Sequence, residues 1–399
     1  MSKVSTDEKK IDWLLNHAVE NVYPSKAEVK KLLESGTRLT VYFGIDPTGP
    51  TLHLGHFINF RRLALFQELG HKVILLIGDF TATIGDPTDK AAVRKPLTRE
   101  KVLANCKLYK DQAARALNFK GSNAVELMFN SEWLGKMKFA DVLDLSSHFT
   151  VQQMLERDMF QTRLSEGRPI HLHEFLYPLM QGYDSVAMDV DGEIGGNDQT
   201  FNMLAGRTLM KQLKNKEKFV IANTLLIDPT GKKMGKSEGN MIALTDAPED
   251  IYGKVMSWTD GMIVPGLKLC TDASDEEIKK IETAMKKREN PMAFKRDLAL
   301  RVVGWLVGEK EGARAAEHFT NVHQKHATPD EVPELKMKDR MSLVDALVAS
   351  GLCSSKSDAR RQIEQGGVKV DDEMVKDPNT NVRKGFVIQK GKRHFVKLV

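Results

Sequence analysis

Residues 39–45 (LTVYFGI) give the first indication of the fold, because they alternate into a short β-strand that runs directly into a turn. The turn-forming residues 46–50 follow, and a helical pattern then extends over residues 54–69. Gly70 ends that helix, and residues 72–77 (KVILLI) are typical of a buried strand. Strand, helix and strand in this close order predict a parallel βαβ unit of a doubly wound α/β sheet.

Outside this unit the periodicity predicts further elements. Residues 98–168 favour helices, and strands are predicted at 185–192 and 219–226. Beyond residue 247 the pattern is helical at 249–258, 275–288, 291–307 and 311–325, and the chain ends in short strands at 386–389 and 394–398. The sequence therefore predicts a Rossmann-like domain at 1–245, a small all-α domain at 246–326, a linker at 327–338 and an α+β domain at 339–399.

Composition limits the class of protein. A hydrophobic content of 41% with 28% charged residues is ordinary for a soluble globular chain, and no uncharged stretch approaches the length of a membrane span. The polar N-terminus does not resemble a signal peptide. The three cysteines are isolated, so neither a disulfide framework nor a structural zinc site is expected. We therefore predict a cytoplasmic protein with no membrane partner.

The basic charge is concentrated at one end of the chain. Residues 338–399 contain 13 Lys and Arg against 8 Asp and Glu, an excess of five that equals the net charge of the whole protein. This excess favours a polyanion-binding module at the C-terminal end. A merely solvated basic surface is the alternative.

A histidine segment, His53-Leu54-Gly55-His56, falls at the start of the helix that follows the first predicted strand. Unpaired backbone amides and the positive end of the helix dipole favour a phosphate there. Both imidazoles can donate to phosphate oxygens, and Gly55 leaves room for a base or a sugar. A two-histidine metal site or ordinary surface histidines are the alternatives.

A lysine-rich loop, residues 228–240 (DPTGKKMGKSEGN), lies about 180 positions further along. Lys233 and Lys236 could neutralise the charge that grows on the β and γ phosphates as pyrophosphate leaves. The sequence of a Walker loop is absent. A solvated lysine loop is the alternative.

In this order, the two segments resemble the HIGH and KMSKS motifs of class I aminoacyl-tRNA synthetases, with Leu54 for Ile and Gly235 for Ser. The chain as a whole resembles the bacterial tyrosyl-tRNA synthetase family. Its most specific match is residues 177–184 (YPLMQGYD), where Tyr177, Gln181 and Asp184 share one helical face.

The resemblance implies a role for each matching position. Catalytic groups would be His53, His56, Lys90, Arg94, Lys233 and Lys236. The tyrosine substrate would be bound by Tyr42, Asp86, Tyr177, Gln181, Asp184 and Gln199. ATP would be bound by Gly44, Asp46, Thr48, His53, Gly55, His56, Asp198, Lys233, Lys236 and Ser237.

The C-terminal end resembles the S4-type RNA-binding module. The similarity covers residues 354–371 (SSKSDARRQIEQGGVKVD), where Lys356, Arg360 and Arg361 would grip the RNA backbone from one side of a helix. The pair Gly366-Gly367 would start a hairpin.

The resemblance further implies ATP-dependent activation of L-tyrosine, with Mg²⁺ on the phosphates, and transfer to tRNA(Tyr) by a homodimer without a protein-held metal. A tryptophanyl enzyme of the same class is disfavoured by Tyr42 and Asp184. A small-molecule adenylate-forming ligase such as a pantothenate synthetase is disfavoured by the basic tail. A non-catalytic RNA-binding paralogue would be expected to have lost motif residues.

Overall fold

The computed structural model describes residues 4–86, 97–231, 241–323, 332–337, 340–371, 373–391 and 394–399. The chain divides into two compact units, unit 1 (Met1–Glu309) and unit 2 (Lys310–Val399). The domain boundaries at 245, 326 and 338 stay predictions.

A six-stranded sheet forms the centre of unit 1. Its strands are β1 (Val19–Tyr23), β2 (Thr40–Ile45), β3 (Lys72–Ile77), β4 (Glu126–Phe129), β5 (Gly192–Gly196) and β6 (Phe219–Asn223). They are ordered β1-β6-β5-β2-β3-β4, and only β1 is antiparallel to its neighbour. The predicted βαβ unit is confirmed, since β2 and β3 pair in parallel across a connecting helix.

The order of the strands locates a crevice. The chain passes outward from β2 to β3 and β4, then returns to place β5 on the other side of β2. This reversal leaves a crevice at the carboxyl ends of β2 and β5, which is where doubly wound sheets bind ligands.

The helices of unit 1 pack against this sheet or against one another. They are α1 (Glu8–Asn16), α2 (Lys26–Glu34), α3 (Leu54–Glu68), α4 (Thr81–Ile84), α5 (Arg99–Cys106), α6 (Tyr109–Ala113), α7 (Ser131–Leu134), α8 (Phe139–Ser147), α9 (Val151–Leu155), α10 (Asp158–Ser165), α11 (Leu172–Met188), α12 (Thr200–Lys214), α13 (Pro248–Met256), α14 (Ile263–Cys270), α15 (Asp275–Lys286) and α16 (Met292–Val307). Helix α3 buries Phe57, Phe60 and Phe66 completely, which fixes its first turn at the crevice.

Three local predictions are corrected in unit 1. The strand predicted at 185–192 is wrong, because α11 continues to Met188 and β5 begins only at Gly192. Asp189 in the left-handed conformation separates the two elements. Strand β4 lies inside the stretch predicted as helical, and β1 was not predicted at all. Both are short strands at the edges of the sheet, where periodicity is a weak signal.

Unit 2 contains most of α17 (Glu309–His323) and a small α+β fold with two further helices, α18 (Leu343–Ala349) and α19 (Lys356–Glu364). Its strands are β7 (Glu334–Leu335), β8 (Arg340–Ser342), β9 (Val368–Val370), β10 (Glu373–Met374), β11 (Asn381–Arg383), β12 (Val387–Lys390) and β13 (His394–Leu398). The hairpin expected after Gly366 is present as β9 and β10, and both predicted terminal strands are confirmed. Strand β7, within the stretch predicted as a linker, pairs in parallel with β13.

Candidate active site

The histidine segment forms the beginning of α3. His53 is the residue that caps the helix, and its Nδ1 accepts from the backbone amide of Gly55 at 3.2 Å. The Nδ1 of His56 accepts in turn from the amide of His53 at 3.2 Å, and the ring centroids lie 3.9 Å apart. Because Nδ1 accepts in both neutral rings, each carries its hydrogen on Nε2 and can donate it to an anion.

Two features hold this segment in place. A Cβ on Gly55 would lie 3.1 Å from the His53 ring, so any larger residue would push that ring by a few tenths of an ångström and would occupy space open to a ligand. On the other side, the amide of Leu54 donates to the carbonyl of Ile242 and the amide of Leu244 donates to that of Leu52. The residues that follow the lysine-rich loop are therefore hydrogen bonded directly beside His53.

Five predicted residues lie outside the described part of the chain: Lys90, Arg94, Lys233, Lys236 and Ser237. Their roles stay predictions.

Asp184 on α11 lies in a buried polar network. Its side chain accepts from Trp133 Nε1 at 2.7 Å and from Asn130 Nδ2 at 3.3 Å, and only 3% of the residue is exposed. Burial raises the pKa of this carboxyl well above its ordinary value, and the two N–H donors oppose that rise. The charge of Asp184 also raises the pKa values of Tyr42 and Tyr177, so all three predicted substrate ligands lie close enough to interact.

Tyr177, on the same face of α11 as Asp184, reaches the end of β2. Its hydroxyl donates to Asp46 Oδ2 at 2.8 Å, while Thr81 donates to Asp46 Oδ1 at 2.7 Å. A Cβ on Gly78 would lie 2.0 Å from that same Oδ1, so only glycine lets the chain after β3 pass the carboxylate. Asp46 thus positions the side chain of Tyr177, in addition to its predicted role in the ATP-binding turn.

Tyr42 is buried in β2, and its hydroxyl lies 3.0 Å from Ser185 Oγ. Its direct partner is thus the residue next to Asp184. Burial, the charge of Glu193 and that of Asp184 raise the pKa of Tyr42, so the hydroxyl stays neutral over the working pH range. A neutral phenol can both donate and accept a hydrogen bond.

Gln181, Asp86 and Gln199 complete the predicted amino-acid site. Gln181 donates to Glu193 Oε1 at 3.1 Å, and Gln199 donates to Asp86 Oδ2 at 2.7 Å. Asp86 also lies 3.6 Å from Nη2 of Arg157, a buried guanidinium. Asp86 and Gln199 are therefore brought together, although 113 residues separate them in sequence.

The remaining predicted ATP ligands line the edge of the crevice. Gly44 and Thr48 are exposed at the end of β2, and Asp198 follows β5 in a short 3₁₀ turn. A Cβ on Gly44 would meet only ordinary contacts with Leu76 and Tyr42, so packing does not require glycine there. A ligand that approaches the backbone is a sufficient reason for its presence.

The predicted RNA-binding residues lie on α19 of unit 2, and all three are exposed. Lys356 pairs with Asp345 at 2.8 Å and Arg361 pairs with Asp358 at 2.7 Å. Within unit 2 these two cations are partly neutralised, which was not predicted.

Several polar residues of the site were missed from sequence. Asn130 and Trp133 follow the carboxyl end of β4, and the alignment of parallel strand ends would have indicated them if β4 had been predicted. The others gave no local signal: Thr81, Arg157, Ser185, Glu193 and Lys218.

The described residues hold no group of three or more His, Cys, Asp or Glu side chains arranged for a metal ion. Nor does any described helix combine the length and the apolar character needed to cross a membrane. The three cysteines are not bonded to one another.

Comparison with known protein families defines the class of protein to which the chain belongs. Residues 34–324 match the family of tRNA synthetases class I (W and Y), and residues 341–388 match the S4 domain. The fold and the crevice are thus those of a class I tRNA synthetase with an attached S4 domain, as the sequence motifs predicted.

Individual relatives show to which branch of this class the chain belongs. The tyrosine–tRNA ligase of Thermotoga maritima is 43% identical over 397 residues, 98% of each chain. That of Moorella thermoacetica is 42% identical over 393 residues, covering 96% of this chain and 94% of the relative. A crystal structure of a C-terminally truncated mitochondrial tyrosyl-tRNA synthetase from Coccidioides posadasii has a TM-score of 0.62 at 25% identity, covering 77% of this chain and 91% of that chain. The chain belongs to the class I tRNA synthetases (W and Y) and, within them, to the tyrosine–tRNA ligase family.

Proposed function

We propose that the protein activates L-tyrosine with ATP and transfers it to the 3′ end of tRNA(Tyr). The observation that carries this proposal is the buried cluster of Tyr42, Tyr177 and Asp184, whose charges and hydroxyls interact at the crevice of the sheet. A phenol that enters it can donate to Asp184 and meet the hydroxyl of Tyr42. Phenylalanine would leave both groups without a ligand partner, which is the strongest means of rejecting it.

In the first step, the tyrosine carboxylate attacks the α-phosphate of ATP, which forms tyrosyl-adenylate and releases pyrophosphate. His53 and His56 would donate from Nε2 to the phosphoryl oxygens at the start of α3. Lys90, Arg94, Lys233 and Lys236 would receive the departing pyrophosphate. No protein nucleophile takes part, so rate acceleration comes from positioning and from stabilisation of the developing charge.

The adenosine would lie along the exposed edge at Gly44, Thr48 and Asp198, and Ser237 would contact the phosphates. ATP enters as its Mg²⁺ complex, with the ion carried on the phosphates as part of the substrate. The substrate ammonium would be held by Tyr177, Gln181 and Asp86, with Gln199 alongside.

In the second step, the terminal ribose hydroxyl of the tRNA attacks the tyrosyl carbonyl and displaces AMP. Unit 2 would bind the tRNA backbone through Lys356, Arg360 and Arg361, which are exposed on α19. The match of residues 341–388 to the S4 domain supports this assignment.

We further propose a cytoplasmic homodimer. The apolar side chains of Phe139, Val151 and Leu172 in unit 1 are 77%, 62% and 83% exposed, which favours a surface that a second copy covers. Sedimentation of the full-length protein tests this: Leu172→Asp should shift a dimer to a monomer, and Met374→Asp in unit 2 should not.

Tyrosine-dependent exchange of pyrophosphate with ATP tests the proposed reaction. Each of the twenty amino acids is supplied in turn to the full-length protein without tRNA. Exchange should occur with tyrosine and be at least a hundredfold slower with any other. Faster exchange with tryptophan would assign the chain to the tryptophan branch of the same family, and no exchange would favour a non-catalytic RNA-binding role.

A further inference from the structure

A buried ion pair connects two ligands of the proposed tyrosine pocket. Lys218, just before β6, pairs with Glu193 in β5, and their side chains are 0% and 3% exposed. Such a pair persists only where further hydrogen bonds offset the loss of hydration. Lys218 has two more partners, the carbonyl oxygen of Met203 at 3.1 Å and the hydroxyl of Ser185 at 2.8 Å.

The fold reserves space for this pair. A Cβ on Gly206 of α12 would lie 2.5 Å from Lys218 Nζ and 2.8 Å from Ser185 Oγ. Any side chain at position 206 would therefore displace the ammonium group, so the glycine and the buried lysine depend on each other.

At one end, the pair fixes the orientation of an amide. Glu193 Oε1 lies 3.1 Å from Nε2 of Gln181. Because an ionised carboxylate only accepts hydrogen bonds, the NH₂ group of Gln181 must face Glu193. The carbonyl oxygen of Gln181 then faces the other way, and a carbonyl oxygen is the atom to which a substrate ammonium can donate.

At the other end, the pair fixes a hydroxyl. An ammonium group only donates, so Ser185 uses a lone pair for Lys218. Among the described residues, the Ser185 hydroxyl also hydrogen bonds with the hydroxyl of Tyr42, at 3.0 Å. The hydrogen of Ser185 is therefore directed to the Tyr42 oxygen, while the Tyr42 hydroxyl has the Glu193 carboxylate as an acceptor, which together with burial raises its pKa. Both members of the ion pair therefore act on the Tyr42 hydroxyl. Lys218 also lies 5.6 Å from the centroid of the Tyr42 ring.

We propose that Lys218, Glu193 and Ser185 are positioning residues that set the hydrogen-bonding direction at both ends of the amino-acid pocket. Glu193 turns the Gln181 carbonyl towards the substrate ammonium, and Lys218 acts through Ser185 on the Tyr42 hydroxyl that meets the phenol. This inference rests on the proposed activation of tyrosine and adds residues that do not themselves touch the substrate.

Two variants and three ligands test the proposal in the full-length protein. Ser185→Ala removes the link to Tyr42 but leaves Lys218 its contacts with Glu193 and Met203. Glu193→Gln removes the charge that orients Gln181. The inhibition constants of phenylalanine and of 3-(4-hydroxyphenyl)propanoate against tyrosine-dependent exchange are compared with the KM for tyrosine. Phenylalanine lacks the phenol oxygen, and the propanoate lacks the ammonium.

Loss of one oriented hydrogen bond should weaken a ligand about tenfold. Ser185→Ala should weaken the binding of tyrosine and of the propanoate, and the inhibition constant of phenylalanine should stay within twofold. Glu193→Gln should weaken the binding of all three ligands, and that of tyrosine about tenfold more than that of either analogue, because tyrosine alone uses both Gln181 and the Tyr42 hydroxyl. In a Tyr42→Phe background, Ser185→Ala should have no further effect, because its target hydroxyl is gone.

An equal loss for all three ligands, or no loss for any, would overturn the proposal. If Glu193→Gln fails to fold, Ser185→Ala with its Tyr42→Phe background decides the question alone. Absence of tyrosine-dependent exchange in the unmodified protein is a separate result, because it contradicts the proposed function itself.

Discussion

The proposed amino-acid pocket of unit 1 and the basic helix α19 of unit 2 hold charged groups in opposite environments. In the pocket, Asp184 is 3% exposed and accepts two N–H donors. On α19, the side chains of Lys356 and Arg361 are 67% and 64% exposed, and each pairs with a neighbouring aspartate. Removing a partner from a buried charge leaves groups that water cannot reach, whereas water replaces a lost surface partner. Substitutions in the pocket should therefore have large and specific effects on the kinetic constants. Substitutions on the helix should have small and additive effects.

The largest effect is expected for Asp184→Ala. The change leaves the N–H groups of Trp133 and Asn130 without their acceptor and removes the partner proposed for the phenol. Breaking a buried charged interaction costs about 3–5 kcal/mol, so kcat/KM for tyrosine in the exchange reaction should fall about 10³-fold. The KM for ATP should stay within twofold.

The control for this change is Asp111→Ala, which removes an exposed carboxylate from α6 of the same unit. It should leave kcat/KM for tyrosine and the KM for ATP unchanged. Equal losses for tyrosine and ATP in Asp184→Ala would contradict its assignment to the phenol.

A buried histidine should give unit 1 a pH-dependent stability. His71 precedes β3, and its Nδ1 accepts from the amide of Leu39 at 3.2 Å. Burial lowers its pKa from 6.5 to about 4. The unfolded chain therefore binds more protons than the folded chain between these values, and the free energy of unfolding should fall by roughly 3 kcal/mol as the pH drops from 6.5 to 4.

Urea unfolding followed by tryptophan fluorescence measures this effect in unit 1, since all four tryptophans lie there. His71→Gln should flatten the decline between pH 6.5 and 4. His394→Gln, which changes an exposed residue of unit 2, should not. An unchanged slope in His71→Gln would show that other groups cause the acid sensitivity.

Tyr177→Phe should have an intermediate effect. It removes the hydroxyl that donates to Asp46 and would face the substrate ammonium. A hydrogen bond to a charged group contributes about 1.5–3 kcal/mol, so the KM for tyrosine should rise roughly 10- to 100-fold. Tyr183→Phe on the same helix serves as the matched control and should stay within twofold. Similar losses in both would mean that α11 as a whole has been disturbed.

The smallest effect is expected from joint replacement of Lys356, Arg360 and Arg361 by alanine. Two of these cations already have partners within unit 2, so the KM for tRNA should rise only about three- to tenfold and less steeply at high salt. Pyrophosphate exchange should not change. Replacing Lys26, Lys30 and Lys31 on α2 removes the same charge from unit 1 and should spare tRNA charging. If the triple substitution on α19 leaves the aminoacylation of tRNA unchanged, the RNA-binding role proposed for α19 is wrong.

The contrast between the two regions also explains what sequence could predict. Residues 39–77 carry their own periodicity, turn and glycine, so the βαβ unit was predictable from local pattern alone. Tyr177, Gln181 and Asp184 could be placed on one face because they lie on a single helix. The strand predicted at 185–192 failed because apolar residues that finish a buried helix and those that start a buried strand look alike over so short a stretch.

Partnerships across long sequence separations were not predictable. The pairs Asp46–Tyr177 and Asp86–Gln199 span 131 and 113 residues. Lys218 appears in sequence as one more lysine in a charged stretch, and only the fold shows that it is fully buried against Glu193. The residues proposed to touch the substrate follow from family resemblance, while those proposed to orient them follow from three-dimensional packing.

The buried pocket of unit 1 is proposed to select a phenol. The most direct test of this selection is the ratio of kcat/KM for tyrosine to that for phenylalanine in pyrophosphate exchange by the unmodified full-length protein. Tyrosyl-tRNA synthetases are the known example of such rejection, at about 10⁵, and a ratio of that order is expected here. A ratio below about 10², the discrimination available from packing alone, would contradict selection of the phenol by this pocket.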